Sequence, residues 1–168
     1  ARALGILPEL AAVRPQLQLH LYETLASTNQ QAWDWVARGA GAGTVVLARQ
    51  QQAGRGQWGR TWVSAPGGLY VSLVLAPEIA IAAAPLLTLA SAWGIATSLD
   101  NLGVPLQLKW PNDLVSQGRK VGGILTETRV SREQTGTALI QTAVVGMGLN
   151  WDNPLPENAC SLRQLLPD

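Results

Sequence analysis

Cysteine and histidine occur once each in this 168-residue chain, and lysine only twice. A single thiol, Cys160, excludes an intramolecular disulfide and fits a reducing compartment, so a cytoplasmic location is expected. With His20 and Cys160 as the only soft ligands, no protein-bound metal is expected. A Ser-His-Asp triad would rest on His20 alone, inside an alternating apolar stretch, and is set aside. Charged residues make up 14% and the net charge is +1, which gives no basic field for nucleic acid or a membrane surface. No apolar run approaches the roughly 20 residues that span a bilayer. The first residues, Ala1-Arg-Ala-Leu-Gly-Ile-Leu-Pro8, lack the apolar length of a signal peptide. Neither nucleic acid nor membrane is therefore an expected partner. Repeats and low-complexity tracts are absent too. What the chain does have is core material: hydrophobic residues reach 47%, enough for one globular domain.

The scarce lysines are placed unevenly. Ten of the twelve basic residues are arginine, and the two lysines, Lys109 and Lys120, lie within one segment. A compact ammonium reaches a point between two anionic oxygens, which a planar guanidinium does not.

The densest chemistry lies between Ala48 and Val63, A-R-Q-Q-Q-A-G-R-G-Q-W-G-R-T-W-V. Gly54, Gly56 and Gly59 permit close backbone approach to a ligand, Arg49, Arg55 and Arg60 bring cationic forks, and Trp58 and Trp62 bring flat faces. Three glycines and solvated arginines predict a loop of low local stability that orders over an anionic nucleotide. Gly54 to Gly59 spells G-x-G-x-x-G, but a dinucleotide fingerprint needs a helix opening on the third glycine. Here Arg60-Thr-Trp-Val-Ser-Ala-Pro-Gly-Gly68 follows, and then a second strand pattern, so the loop bridges two strands.

In chain order, residues 1–16 read as a leader segment and residues 17–168 as one domain. Leu17 to Tyr22 alternates as a strand. Ser27 and Gln30 have capping-box spacing before a helix that Gly39 stops. Gly43 to Ala48 and Leu69 to Leu75 are strands, and Ala82 to Leu102 is the longest helix, a core scaffold. Leu106 to Lys109 is a strand broken by Trp110-Pro111; Gly122-Gly123 lies inside the next strand pattern and marks a close approach. Ala138 to Val145 is a strand, and something helical begins at Cys160. About seven strands and three helices, mostly in hairpin order, predict an α+β fold: a mixed, largely antiparallel sheet with helices packed on one face.

Four motifs stand in order: Ser27-Thr-Asn29, Gln51-Gln-Ala-Gly-Arg-Gly56, Lys109-Trp-Pro-Asn-Asp113 and Gly118-Arg-Lys-Val-Gly-Gly-Ile-Leu125, closed by Gly146-Met-Gly-Leu-Asn150. Together they resemble the catalytic domain of a biotin protein ligase, over roughly Leu19 to Leu166. The resemblance implies a biotin/lipoate ligase, class II synthetase-like fold. It also implies synthesis of biotinyl-5′-AMP from biotin and MgATP, then transfer to one lysine of the biotin carboxyl carrier protein of acetyl-CoA carboxylase. By the same resemblance, Ser27, Thr28, Asn29, Gln51, Arg55, Gly56, Gln57, Lys120, Gly122 and Gly123 contact biotin. Arg55, Arg60, Trp62, Asn112, Lys120 and Asn150 take the nucleotide side, and Arg55, Lys120, Lys109 and Asp113 carry the catalysis. A homodimer is compatible with it.

Two departures stand out. Many members read G-R-G-R where this chain has Gly54-Arg-Gly-Gln57, and they continue past Asp168 into more helix and a small barrel, so the domain is expected to be truncated. A lipoate or octanoate ligase-type acyl transferase, or a biotin-binding domain without ligase activity, are the alternatives.

Overall fold

The computed structural model describes residues 16–132 and 138–166. The expected leader therefore lies, but for Gln16, outside the described residues. Strands β1 (Gln18–Leu25) and β2 (Thr44–Gln51) pair in parallel, Leu19 opposite Val45. A parallel pair needs a crossover, and helix α1 (Thr28–Ala37) supplies it. Antiparallel pairing then carries β2 to β3 (Leu69–Leu75), β3 to β8 (Ala138–Leu149), β8 to β7 (Arg119–Arg132), β7 to β6 (Asp113–Ser116) and β6 to β5 (Gln107–Lys109). The two-residue β4 (Ile79–Ala80) rests on β8 and completes eight strands. The glycine loop runs from β2 to β3 with no helix after it, which removes the dinucleotide-fold reading.

Helix α1 starts at Ser27, whose backbone is extended, but Ser27 makes no side-chain capping bond. The spacing located the helix start correctly, but the capping box does not form, since Gln30 Nε2 donates to Asp34 instead. Ala32 and Trp33 of α1 pack on Val46, Val74 and Val144. Helix α2 (Ala84–Asp100) begins with Pro85 in its first turn and stops where Val104 N–H bonds back to Leu99. Its Ala92 and Leu99 join Leu114, Val121, Ile124, Val145 and Leu149, and burying side chains of this size stabilises by about 1.5–3 kcal/mol each. Neighbours Val144 and Val145 thus serve different clusters. The mixed, largely antiparallel sheet with helices packed against it is the architecture expected, and α1 and α2 enter separate core clusters.

Two expectations need correction. The segment Ile81–Asp100 is long and apolar enough to cross a membrane by length and composition, with mean hydropathy 1.4. Thr88, Ser91, Thr97 and Ser98 interrupt its apolar run without bringing charge; Ser91 and Ser98 bond back to Leu87 and Gly94 carbonyls. Leu86 and Trp93 leave a broad apolar face of this helix open, 60% and 75% exposed. Second, the segment from Cys160 to Leu166 forms turns, not a helix. It is held because Cys160 and Leu162 donate backbone bonds to Lys120 and Asn150.

Candidate active site

A cavity of about 320 Å³ opens above the ends of β7 and β8. Part of its floor is bare backbone, because Gly123 and Gly148 are register partners, and Gly146 lies beyond them opposite Leu125. The Trp62 indole lies across this floor: a methyl on Gly148 would come within 2.6 Å of its Cε2, and one on Gly123 within 3.4 Å of its Cζ3. Trp62 Nε1–H is buried with no partner among the described residues.

One end of the cavity is an uncharged hydrogen-bonding cluster. Gln51 Oε1 accepts from Thr28 N–H (2.8 Å) and from Thr28 Oγ1 (3.2 Å), while Gln51 Nε2 donates to Ser64. The buried Ser72 hydroxyl is within bonding distance of Thr28 Oγ1 (2.8 Å) and Asn29 Oδ1 (2.6 Å). Asn29 Nδ2 donates to the Leu125 carbonyl and to Glu127. Ser27, 6% exposed and free of capping, joins the lining.

The other end is cationic. Lys120 Nζ pairs with Asp113 Oδ1 at 2.6 Å and stands 5.2 Å from the centre of the Trp62 ring. Lys109, Arg60 and Arg55 also line the cavity, Arg55 sharing Glu127 Oε2 with Asn29 of the uncharged cluster. Asp113 is aimed by its neighbour: Asn112 donates Nδ2 to the Ile124 carbonyl and accepts Ile124 N–H, clamping the start of β6 to β7. A bulge between Leu114 and Val115 shifts the register opposite Lys120 and Val121, so Lys120 and Gly123 reach the cavity although they are three positions apart.

The glycine loop is a pinched hairpin. Gly56 N–H donates to Arg60, Trp62 N–H to Gly54 and Gln51 N–H to Ser64, and Trp58 sits at φ 58°, 87% exposed. At the loop's exit the Tyr70 hydroxyl donates to the Ala65 carbonyl, and burial raises its pKa to about 12. Burial also pushes the Cys160 thiol up, Arg119 drawing it partly back, so it is no ready nucleophile.

Most residues expected from sequence meet in this cavity: Ser27, Thr28, Asn29, Gln51, Arg55, Gly56, Gln57, Arg60, Trp62, Lys109, Asn112, Asp113, Lys120 and Gly123. Gly122 and Asn150 do not line it. A side chain on Gly122 would run into Leu149 and the Gly148 carbonyl, away from the cavity, so its role is close strand packing. Asn150 is buried as a structural brace, its Nδ2 reaching the Lys120 and Cys160 carbonyls and its Oδ1 accepting from Asn153. The sequence carries no sign of a site role for Glu127 and only faint ones for Ser72, Gly146 and Gly148, the two glycines standing in the motif that closes the set. Ser72, alone and polar in Leu69-Tyr-Val-Ser-Leu-Val-Leu75, and the alternate glycines of Gly146-Met-Gly148 were the available signals.

A glycine-floored cleft that holds both an uncharged hydrogen-bonding cluster and several cations is thus set on a mixed, largely antiparallel sheet. The chain belongs to the biotin/lipoate A/B protein ligase family, whose model matches residues 21–150. It is 34% identical over 131 residues to the bifunctional ligase/repressor BirA of Bacillus subtilis, covering 77% of this chain and 39% of that protein. It is 39% identical over 127 residues to the biotin–[acetyl-CoA-carboxylase] ligase of Paracoccus denitrificans, covering 74% and 50%. Among solved structures, the biotin protein ligase from Aquifex aeolicus in complex with biotin and ATP matches with TM-score 0.65 at 29% identity, over 89% of this chain and 61% of that one. The chain spans half or less of the length of these two curated relatives.

Proposed function

We propose that this domain joins biotin to AMP, at the expense of ATP, and passes the biotinyl group to a lysine of the biotin carboxyl carrier protein of acetyl-CoA carboxylase. The observation that carries this reading is the convergence of both lysines and of Arg55 and Arg60 on one cavity that also holds an uncharged hydrogen-bonding cluster. A ureido ring is neutral and polar and matches the Ser27, Thr28, Asn29 and Gln51 end, and Gly56 and Gln57 close over the body of the ligand. In adenylation a carboxylate oxygen attacks the α-phosphorus and pyrophosphate leaves with its bonding electrons. Two anions must approach, and Lys120 and Arg55 neutralise both together with the charge that builds on phosphorus. Lys109 assists from the end of β5. Trp62, Arg60 and Asn112 flank the nucleotide, and Trp62 Nε1–H is a donor the adenylate would satisfy. Asp113 orients or deprotonates the incoming lysine amine, whose attack on the carbonyl expels AMP. Magnesium arrives with ATP as part of the substrate: among the described residues no three His, Cys, Asp or Glu side chains cluster to cage it, and Mg²⁺ is commonly held by substrate phosphates with one or two carboxylates.

Biotin-dependent pyrophosphate release tests the reading. Release with biotin and none with lipoate is expected. Release with lipoate alone assigns the chain to the lipoate-type branch, and no release with either leaves a binding domain.

Gln57 carries a separate expectation. At this cavity position an amide gives the adenylate one charge-assisted contact fewer than arginine would, worth about 1.5–3 kcal/mol, or roughly ten- to hundredfold in escape rate. Bystander proteins mixed with the enzyme should be biotinylated on their lysines, and Gln57→Arg should suppress this without abolishing pyrophosphate release. Equal bystander labelling by both forms shows that Arg60 or Trp58 already supplies the missing contact.

A further inference from the structure

Glu127 lies outside the cavity lining, yet three donors converge on its Oε2: Asn29 Nδ2 at 2.8 Å, Trp33 Nε1 at 3.3 Å and Arg55 at 3.0 Å. They come from two different elements. Asn29 and Trp33 belong to α1 and are themselves buried, so they fix the carboxylate against the helix. Arg55 comes from the glycine loop, and its side chain is 42% exposed. Glu127 itself stands on β7, the strand that also carries Lys120.

A cation on a glycine loop is poorly aimed by its own backbone, because a long side chain with exposed stem samples many rotamers. An anchor on the sheet removes that freedom. With one guanidinium nitrogen committed to Glu127, the rest of the planar fork is left for an anion in the cavity that Arg55 lines. Glu127 simultaneously fixes the sense of the uncharged cluster. A carboxylate only accepts, so it holds the Asn29 amide with Nδ2 toward β7 and Oδ1 toward Ser72.

We propose that Glu127 is a positioning residue for the adenylation reaction: it clamps the Arg55 guanidinium to β7, at a fixed place relative to Lys120, and orients Asn29 in the same contact. This rests on the assignment of Arg55 to the carboxylate–phosphate junction made above. Substrate is not expected to touch Glu127, so its effect passes through Arg55.

Glu127→Gln separates the two contacts, since a glutamine oxygen still accepts from Asn29 and Trp33 while the charge paired with Arg55 is gone. In the ligand-free chain, trypsin cleavage after Arg55 should accelerate by roughly tenfold, the loss of one charge-assisted bond, while cleavage after Arg163 stays the same. An unchanged rate at Arg55 overturns the clamp whatever the catalytic result. In biotin-dependent pyrophosphate release, Glu127→Gln should lower kcat by about tenfold and leave the KM for biotin within about twofold, as expected when an interaction acts in the transition state. Placed on Arg55→Met, it should cost less than about twofold more, because the interaction it serves is already lost. Losses that multiply in the double variant mean that Glu127 acts through something other than Arg55, which overturns the proposal. Full activity of Arg55→Met alone overturns the assignment of Arg55 and the proposal with it. A chain that releases no pyrophosphate at all overturns the adenylation reading instead, and the clamp is then decided by the tryptic rate.

Discussion

Lys120→Arg is expected to lower biotin-dependent pyrophosphate release by about a hundredfold, or ~2.7 kcal/mol at the transition state, although it conserves charge. The ammonium stands 2.6 Å from Asp113 and over Trp62, in the space between the β6 turn and the glycine floor. Neutralising a carboxylate and a phosphate at once requires a point charge that both oxygens reach. A planar fork is longer and pairs side-on, so it stays on Asp113 or displaces the Trp62 ring. The backbone of residue 120 bonds Asn158 and Cys160 and is indifferent to the side chain, so the variant should fold. Near-normal denaturation with crippled pyrophosphate release is the expected pair of results. Retention of activity within about threefold, well under 1 kcal/mol, removes Lys120 from its assigned position.

Gly146→Ala should strike the other end. A methyl at this position would overlap the Asn29 side-chain oxygen and crowd its carbon and nitrogen. Asn29 is 3% exposed and bonded to Ser72, Leu125 and Glu127, so it has no free direction in which to yield. Overpacking of this kind costs about 1–3 kcal/mol, and the amide that should meet the ligand is displaced as well. Biotin affinity measured by titration calorimetry should fall by roughly ten- to hundredfold, with a lower denaturation midpoint. Gly41→Ala is the control, since a methyl there meets nothing within 4 Å. Unaltered biotin affinity in Gly146→Ala would detach the Asn29 cluster from biotin recognition.

Strand content, the order of the hairpins and most of the cavity lining were legible because they depend on local alternation and on short motifs. Parity was harder. Gly122 and Gly123 are equivalent in the sequence, and only the strand pairing sends one toward Leu149 and the other under Trp62. The bulge at Leu114 and Val115 then breaks the simple alternation that would have predicted where Lys120 points. Asn150 was assigned to the nucleotide from its motif, yet its partners are 10 and 30 residues away and use up its amide. Glu127 lay hidden for the same reason, as its donors are up to 98 residues distant. Long-range hydrogen bonds leave no periodicity to read.

Both lysines line the cavity, and the chain has no others. Its outer face carries cations only as guanidinium groups, which resist acylation at neutral pH because they stay protonated. Apart from a terminal amine, a succinimidyl ester or an aldehyde therefore finds no side-chain nitrogen to modify outside the cleft. The two targets inside differ in kind, for Lys109 is exposed while Lys120 is ion-paired with Asp113. General amine reagents, which elsewhere decorate a protein at random, become on this chain a footprint of one cleft, with covalent mass gain beyond a terminal amine a count of how many of its two ammonium groups are uncovered.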